Sequence, residues 1–204
     1  FLINPYPAYV SIKRTNPLPK AVPGKVESLD FLSYLGEYGW YPDRNRAIME
    51  LCYGSGLRRC ELYRLNTRDI SGDWLRVTGK SSQERIVPLG SKAKVWLNMY
   101  MKGERMQILK KSNPLEGALF LNRFGDRLGL QAFSYIVTYG RPKDKKWTLH
   151  SFRHACATHM MENGAGIRVL QKLLGHKKLS STQVYTRVDM TSLKEVLKKH
   201  HPRG

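Results

Sequence analysis

The chain has 204 residues, 41% of them hydrophobic, so it is long enough for one domain to bury a sizeable core. Its 35 Lys and Arg against 16 Asp and Glu give a formal net charge of +19, which predicts a polyanionic partner, nucleic acid first. No apolar run approaches the roughly 20 residues that cross a bilayer, and the positive charge is spread along the chain, which argues against a membrane partner.

Two details indicate where the chain comes from. Position 1 is Phe rather than Met, which predicts a fragment of a longer protein. Cys52, Cys60 and Cys156 lie in apolar, helix-like segments, and an odd, scattered set is a poor disulfide framework. We therefore expect reduced core cysteines and a cytoplasmic protein.

The first half of the chain predicts a linker, helices and a hairpin. Residues 1–20 are rich in proline without periodicity and are expected to form a linker. KVESLDFLSYLGEYG predicts an amphipathic helix, and DRNRAIMELCYGSGLRRCELYRL predicts two helical stretches broken at Gly54-Ser55-Gly56. In WLRVTGKSSQERIVPL, two strand-like runs around a Gly-Lys-Ser-Ser turn predict a β-hairpin.

The second half is expected to be mostly helical. A short strand is predicted in ALFLN, and a basic loop, GRPKDKK, precedes the later helices. Helices are predicted in AKVWLNMYMKGERMQILKK, residues 131–139, TLHSFRHACATHMMENG, IRVLQKLLG and SLKEVLKKHHPRG. The predicted fold class is mainly α (α+β), a helical domain with a small antiparallel β-sheet.

Charged residues occur where the pattern predicts core. Arg58 falls in register with the apolar stripe of Leu51, Leu62 and Leu65, and Glu61 follows one turn later. An arginine on a core-facing stripe is costly unless an anion pairs with it. A structural Arg58–Glu61 salt bridge and an anion-binding site explain this pattern equally well.

Four further residues have side chains suited to catalysis or metal binding, and a structural role is the alternative. Lys80 lies in the hairpin turn, either as a solvated residue or as a tip that reaches a ligand. His150 and Arg153 are i, i+3 neighbours at a helix start, so they project from one side or simply pack as a pair. His150 and His154 have metal-ligand spacing, but no adjacent Glu or cysteine cluster completes a site, so no metal is expected.

The stretch LLGHKKLSSTQVYTR adds His176 at a helix end and Tyr185 nine positions later, a pair that could equally be a helix cap and a core tyrosine. Taken together, such residues suit phosphodiester cleavage by a protein nucleophile. A phenol attacks, arginines hold the non-bridging oxygens and a lysine protonates the leaving oxygen. This chemistry needs no metal or nucleotide cofactor. The six candidates are Arg58, Lys80, His150, Arg153, His176 and Tyr185.

Five motifs in order carry a family resemblance: YGSGLRRCEL, VTGKSSQERIVPL, LHSFRHACATHM, LLGHKKLSSTQVYTR and the tail HHPRG. From about Leu18 onward the chain resembles the catalytic domain of the tyrosine recombinases (phage integrase family), most closely the Xer-type recombinases of bacteria and archaea. The resemblance implies site-specific cleavage and rejoining of double-stranded DNA.

The resemblance also implies a role for each site residue. Tyr185 would be the nucleophile that forms a 3′-phosphotyrosyl link, and Lys80 the general acid on the 5′-oxygen. Arg58 and Arg153 would clamp the scissile phosphate. The supporting roles would fall to His176, which hydrogen-bonds that phosphate, His150, which assists proton transfer, and Glu61, which orients the site.

The implied organisation has three parts. Residues 1–20 would be the linker from a missing N-terminal core-binding domain, residues 21–190 the catalytic domain, and residues 191–204 a C-terminal helix exchanged with a neighbouring protomer. Leu193, Val196 and Leu197 would anchor that helix, and folding back on its own domain is the alternative. Without the first domain, the chain should bind DNA weakly and recombine poorly.

The expected partners are DNA and further copies of the chain, a dimer to tetramer on DNA, with a partner recombinase or regulator as another candidate. Two other functions stay open: a type IB topoisomerase, which relaxes DNA without exchanging strands, and a DNA-binding regulator that has lost catalysis. The candidates for contact with the DNA backbone are Arg141, Lys143, Lys145, Lys146, Lys177 and Lys178.

Overall fold

The computed structural model describes residues 22–37, 39–79, 84–109, 117–175 and 187–204. These residues form nine α-helices and a three-stranded antiparallel sheet in the order β1-β2-β3. The helices are α1 (Lys25–Glu37), α2 (Pro42–Gly54), α3 (Arg59–Arg64), α4 (Ser91–Lys102), α5 (Glu104–Leu109), α6 (Leu130–Gly140), α7 (Leu149–Glu162), α8 (Ile167–Leu174) and α9 (Arg187–His200). The strands are β1 (Ile70–Ser71), β2 (Trp74–Thr78) and β3 (Glu84–Pro88). The predicted fold class is confirmed.

Helix α2 lies at the centre of the hydrophobic core. Every residue from Arg46 to Gly54 is buried, and the helix packs against α1, α4 and α7. A helix surrounded in this way has no solvent-facing side, so its position is fixed by packing on all faces. Because α3 follows directly after the turn that ends α2, the core also fixes where α3 begins.

The predicted hairpin is confirmed, whereas the strand predicted in ALFLN is not formed. β2 and β3 pair antiparallel with Leu75 opposite Val87. Ala118 and Leu121 make only isolated bridges. The Leu119 amide bonds to the Leu65 carbonyl, and the residues after this segment form a turn. No continuous neighbouring strand is therefore available to this segment.

Two further expectations need correction. The helix predicted over residues 93–111 is two helices, α4 and α5, because Gly103 leaves the helical region with φ −97° and ψ −101°. Cys52 and Cys156 are buried as expected, but Cys60 is exposed. α3 has only six residues and buries Glu61 and Leu62, so Cys60 falls on its outer face.

Helix α9 packs on its own domain in this structure. Leu193 and Leu197 are buried in the main core, and Val196 packs against it. The tail continues this contact, since Ser91 Oγ donates to the Gly204 carbonyl at 3.0 Å. Exchange with a neighbouring protomer stays a prediction, and residue 191, its expected boundary, lies inside α9.

In the part of the chain that the structure describes, no helix has both the length and the apolar character to cross a membrane. The linker expected at residues 1–20 lies outside the described residues.

Candidate active site

The turn between α2 and α3 places Arg58 at the entrance of the site. Gly56 has φ +64° in this turn, and Arg58 is the N-cap of α3 rather than part of a helix continuous with Leu51. Its peptide N–H donates to Glu61 Oε2 at 2.7 Å, half of a capping box. The expected core-facing position is therefore wrong: the Arg58 side chain is 43% exposed, because the chain changes direction at Ser55.

Glu61 is the buried carboxylate on which three arginines converge. Its side chain is 1% exposed and meets Arg58 Nη1 at 3.0 Å and Arg85 Nη2 at 3.0 Å, with Arg153 Nη1 at 3.9 Å. Arg85 Nη1 also bonds to Oε1. Burial alone would raise the pKa of Glu61, but the hydrogen bonds and charge of Arg85, the Arg58 amide and Arg153 hold that pKa below its ordinary value. One negative charge among three positive ones leaves the cluster cationic.

The same three arginines hold the end of α8. The last carbonyls of a helix lack partners within it, and here three consecutive ones each accept from a different arginine. Leu173 O accepts from Arg85 Nε at 3.3 Å, and Gly175 O accepts from Arg58 Nη2 at 3.1 Å. Leu174 O accepts from Arg153 Nη2. Gly175 ends the helix in the left-handed conformation, φ 64° and ψ 56°, which suits a residue without Cβ.

Arg153 is the more buried of the two predicted clamp residues. It projects from α7 with a 6% exposed side chain, and its Nη1 also donates to the Gly56 carbonyl. Burial, followed by the positive charge of Arg58, lowers the pKa of Arg153 to about 10. The guanidinium still carries its charge at neutral pH, since that value lies well above 7.

α7 brings His150 to the same place. Thr148 caps the helix, accepting from the Ser151 amide at 3.2 Å, so His150 and Arg153 lie one turn apart near its start. His150 is exposed, and it lines with Arg153 a cavity of about 270 Å³ between α7 and α8. His154 lines it too, but in the described chain no group of three or more His, Cys, Asp or Glu could hold a metal ion.

The described residues thus bring together Arg58, Glu61, His150 and Arg153. Five predicted positions lie outside them, namely Lys80, His176, Tyr185, Lys177 and Lys178, and stay predictions. The described chain stops at Gly79, directly before Lys80, and at Gly175, directly before His176.

The basic loop before α7 divides into engaged and exposed residues. Arg141 Nη1 donates to the Trp147 carbonyl at 2.6 Å, and Lys145 Nζ pairs with Glu27 Oε1 at 2.7 Å. Lys143 and Lys146 are exposed. The first two therefore have structural contacts of their own, and contact of the loop with a phosphate backbone stays a prediction.

Arg85 is the site residue that the sequence reading missed. It lies on β3 in the inward register of Val87, with only 9% of its side chain exposed. The alternation in ERIVP carries that signal, because residues two apart share one face of a strand. The charge in a core-facing register that was expected at Arg58 is therefore found at Arg85.

Comparisons with known proteins agree on one family. The sequence model of the phage integrase family matches residues 34–192. Tyrosine recombinase XerD of Oceanobacillus iheyensis is 44% identical over 166 residues, which are 79% of this chain and 56% of that protein. The chain therefore spans little more than half the length of this relative.

Two solved structures have a similar fold. The crystal structure of XerA recombinase has a TM-score of 0.67 at 23% identity, over 93% of this chain and 68% of that one. The pre-cleavage complex of XerH site-specific recombinase bound to difH substrate has a TM-score of 0.63 at 21% identity, over 92% and 56%.

Proposed function

This chain belongs to the phage integrase family, that of the tyrosine recombinases, and we propose that it is the catalytic part of a site-specific DNA recombinase. The enzyme cleaves and rejoins DNA strands through a 3′-phosphotyrosyl intermediate. Double-stranded DNA is its substrate, in keeping with the net charge of +19.

One observation carries this proposal: an excess of arginine around Glu61, at the end of α8. Three guanidinium groups face one carboxylate, and the Arg58 side chain among them is 43% exposed. Two of the five N–H groups of Arg58 have partners in Glu61 and Gly175, so others can face a ligand. Such a preorganised cationic group stabilises negative charge that develops on the non-bridging oxygens of a phosphate.

The resemblance to the tyrosine recombinases implies the reaction that we propose. The Tyr185 oxygen attacks phosphorus while the bond to the 5′-oxygen breaks, and His150 takes up the phenol proton. Lys80 donates a proton to the leaving 5′-oxygen. Arg58, Arg153 and His176 hold the phosphate. The phosphotyrosyl bond keeps the energy of the broken one, so a 5′-hydroxyl of a partner strand can reverse the step.

The parts outside the catalytic centre are also proposals. Residues 1–20 connect residues 21–190 to a core-binding domain in the longer protein. On DNA, residues 191–204 leave the contacts that they make with their own domain and pass to a neighbouring protomer in a dimer or tetramer. The basic residues of the loop before α7 and those after Gly175 contact the phosphate backbone. The relative's greater length supports a further domain, and the exposed Lys143 and Lys146 support contact with the phosphate backbone.

The two alternative functions are less well supported. The 44% identical relative is a recombinase, which favours strand exchange over relaxation alone. A regulator without catalysis would have no need of the complete set of candidate catalytic residues, Tyr185 among them.

Strand transfer tests the proposal and separates it from the alternatives. The chain is mixed with a pool of nicked duplexes that are randomised around the nick, and the sequences that form a covalent adduct are recovered. The selected duplex is then offered a second duplex with a free 5′-hydroxyl. We expect joined products without ATP, and none from Tyr185→Phe. Relaxation of plasmids without joining would favour the topoisomerase, and binding without any adduct would favour the regulator.

A further inference from the structure

Arg85 uses its guanidinium differently from the other two arginines of the cluster. Both of its Nη atoms bond to the Glu61 carboxylate, and its Nε donates to the Leu173 carbonyl at 3.3 Å. With 9% of its side chain exposed, it is far more enclosed than Arg58. All three of its nitrogens donate to protein acceptors, and, unlike Arg153, it does not line the cavity between α7 and α8, so a direct role on the substrate does not fit it.

The contact with Glu61 determines which donors remain for a ligand. A buried carboxylate must be paired, and a two-bond contact with arginine fixes its plane. Without Arg85, the nearest cations to Glu61 are Arg58 and Arg153, at 3.0 Å and 3.9 Å. Both would turn further toward the carboxylate. The N–H groups that would hold a phosphate would then be taken up inside the protein.

The contact with α8 determines where that helix ends. A Cβ added at Gly175 would lie 3.1 to 3.4 Å from Cδ, Nε and Cζ of Arg85, so the guanidinium packs directly against this turn. Arg85 therefore connects three parts of the chain that meet at the arginine cluster: β3, Glu61 on α3, and the end of α8.

From these contacts we propose that Arg85 is a positioning residue, resting on the recombinase function proposed above. It occupies Glu61 so that Arg58 and Arg153 keep donors for the scissile phosphate, and it anchors the turn that leads to His176. It touches neither DNA nor the reacting atoms.

The test compares Arg85→Met with Arg76→Met. Arg76 lies on the neighbouring strand β2, opposite Ile86, and is exposed, so its loss removes the same charge from the same sheet. The adduct rate is measured at saturating protein on the selected nicked duplex. The dissociation constant for that duplex is measured in the Tyr185→Phe background. We expect Arg85→Met to slow the adduct step about tenfold to a hundredfold, the scale of a misplaced catalytic group. The dissociation constant should change less than about threefold, and Arg76→Met should change neither.

Two additional variants separate positioning from stability. Arg85→Lys keeps the charge but lacks the planar fork, so it should fold and remain slower than the parent chain. Arg85→Met with Glu61→Gln removes the unpaired buried charge, so it should melt close to Glu61→Gln alone yet react more slowly. Recovery of the Glu61→Gln rate in the double variant would mean that Arg85 acts only by occupying the Glu61 carboxylate, and would overturn its role in anchoring α8.

Hydrogen exchange at the amides of residues 172–175 gives a readout that does not depend on catalysis. We expect faster exchange there in Arg85→Met and no change in Arg76→Met. Unchanged exchange, or an unchanged adduct rate in Arg85→Met, contradicts the proposal. A parent chain that forms no adduct at all contradicts the recombinase function and with it the catalytic part of this inference, while the exchange still decides whether Arg85 anchors α8.

Discussion

Two buried glutamates of this chain, Glu61 and Glu50, are each paired with arginines. The two clusters differ in how far their arginine side chains are exposed to a ligand. Glu50 on α2 is fully buried and pairs with Arg46 Nε at 3.0 Å and with Arg203 Nε at 3.2 Å. The Arg46 and Arg203 side chains are 5% and 15% exposed, and Arg46 also lies over the Trp96 ring at 5.0 Å. This cluster is closed and ties the C-terminal tail to the core.

The Glu61 cluster is open by contrast. Its arginines outnumber the carboxylate three to one, and the Arg58 side chain is 43% exposed. A buried ion pair therefore does not by itself mark a functional site. Unbalanced charge together with an exposed partner does, because only that combination leaves a field and donors for a ligand.

The largest effect on stability should come from the closed cluster. Glu50→Gln leaves two enclosed arginines without their anion, which should lower the free energy of unfolding by about 3 to 5 kcal/mol. Chemical denaturation measures this, with the exposed Glu195→Gln as a control that should stay within about 0.5 kcal/mol. A loss below about 1 kcal/mol for Glu50→Gln would show that this pair does not hold the tail.

The open cluster should respond in rate instead. Arg58→Ala should slow adduct formation by roughly a hundredfold or more, the scale of losing one preorganised donor to a developing oxyanion, and leave DNA binding largely intact. Arg153→Ala should slow it similarly and also lower the melting temperature, because the Gly56 and Leu174 carbonyls lose their donor. If either change abolished binding and spared the cleavage step, the clamp assignment would be wrong.

The tail should be sensitive to acid. His201 is buried against Tyr53, and its Nδ1 accepts the Arg203 amide at 2.9 Å, which requires a neutral ring. Burial, then the neighbouring His159 and Arg203, lower the pKa of His201 to about 3. Burial also lowers the pKa of His159.

Because the pKa of a histidine released from the fold is about 6.5, the unfolded state binds more protons between pH 3 and 6.5. Stability from His201 is therefore complete above pH 6.5 and falls by up to about 1.4 kcal/mol per pH unit below it. Melting curves between pH 7.5 and 5 measure this slope, which His201→Gln should reduce. A slope that His201→Gln leaves unchanged would exclude the histidine as its cause.

The smallest effects should come from the basic loop. Changing Lys143 or Lys146 to Gln should reduce the slope of log binding constant against log salt by about 0.9 each, if each contacts one phosphate. Lys145→Gln should change it less, since Lys145 Nζ already pairs with Glu27. Equal slopes for all three variants and the parent chain would show that the DNA does not contact this loop.

Local patterns predicted the elements well. The hairpin and most helices follow from periodicities of two and 3.6 residues, which the sequence displays directly. Arg153 and His150 were predicted on one side of a helix start, and α7 has them there. The position of Arg58 was wrong because a change of direction at Ser55, not a register, sets it.

Long-range pairing is what the sequence could not predict. Glu50 and Arg203 are 153 positions apart, and Arg85 meets Leu173 across 88. Nothing local in either segment names its partner, because the core packing around α2 brings them together. The alternation around Arg85 could have indicated a buried charge, but not that Glu61 neutralises it.

The most direct measurement is to map the residue that carries the DNA after adduct formation on the selected nicked duplex. Nuclease and protease digestion followed by mass spectrometry locates the bond. We predict a nucleotide joined through its 3′-phosphate to the phenol oxygen of Tyr185. A nucleotide on another side chain, or one joined through a 5′-phosphate, would contradict the claim that the arginine cluster serves an attacking tyrosine.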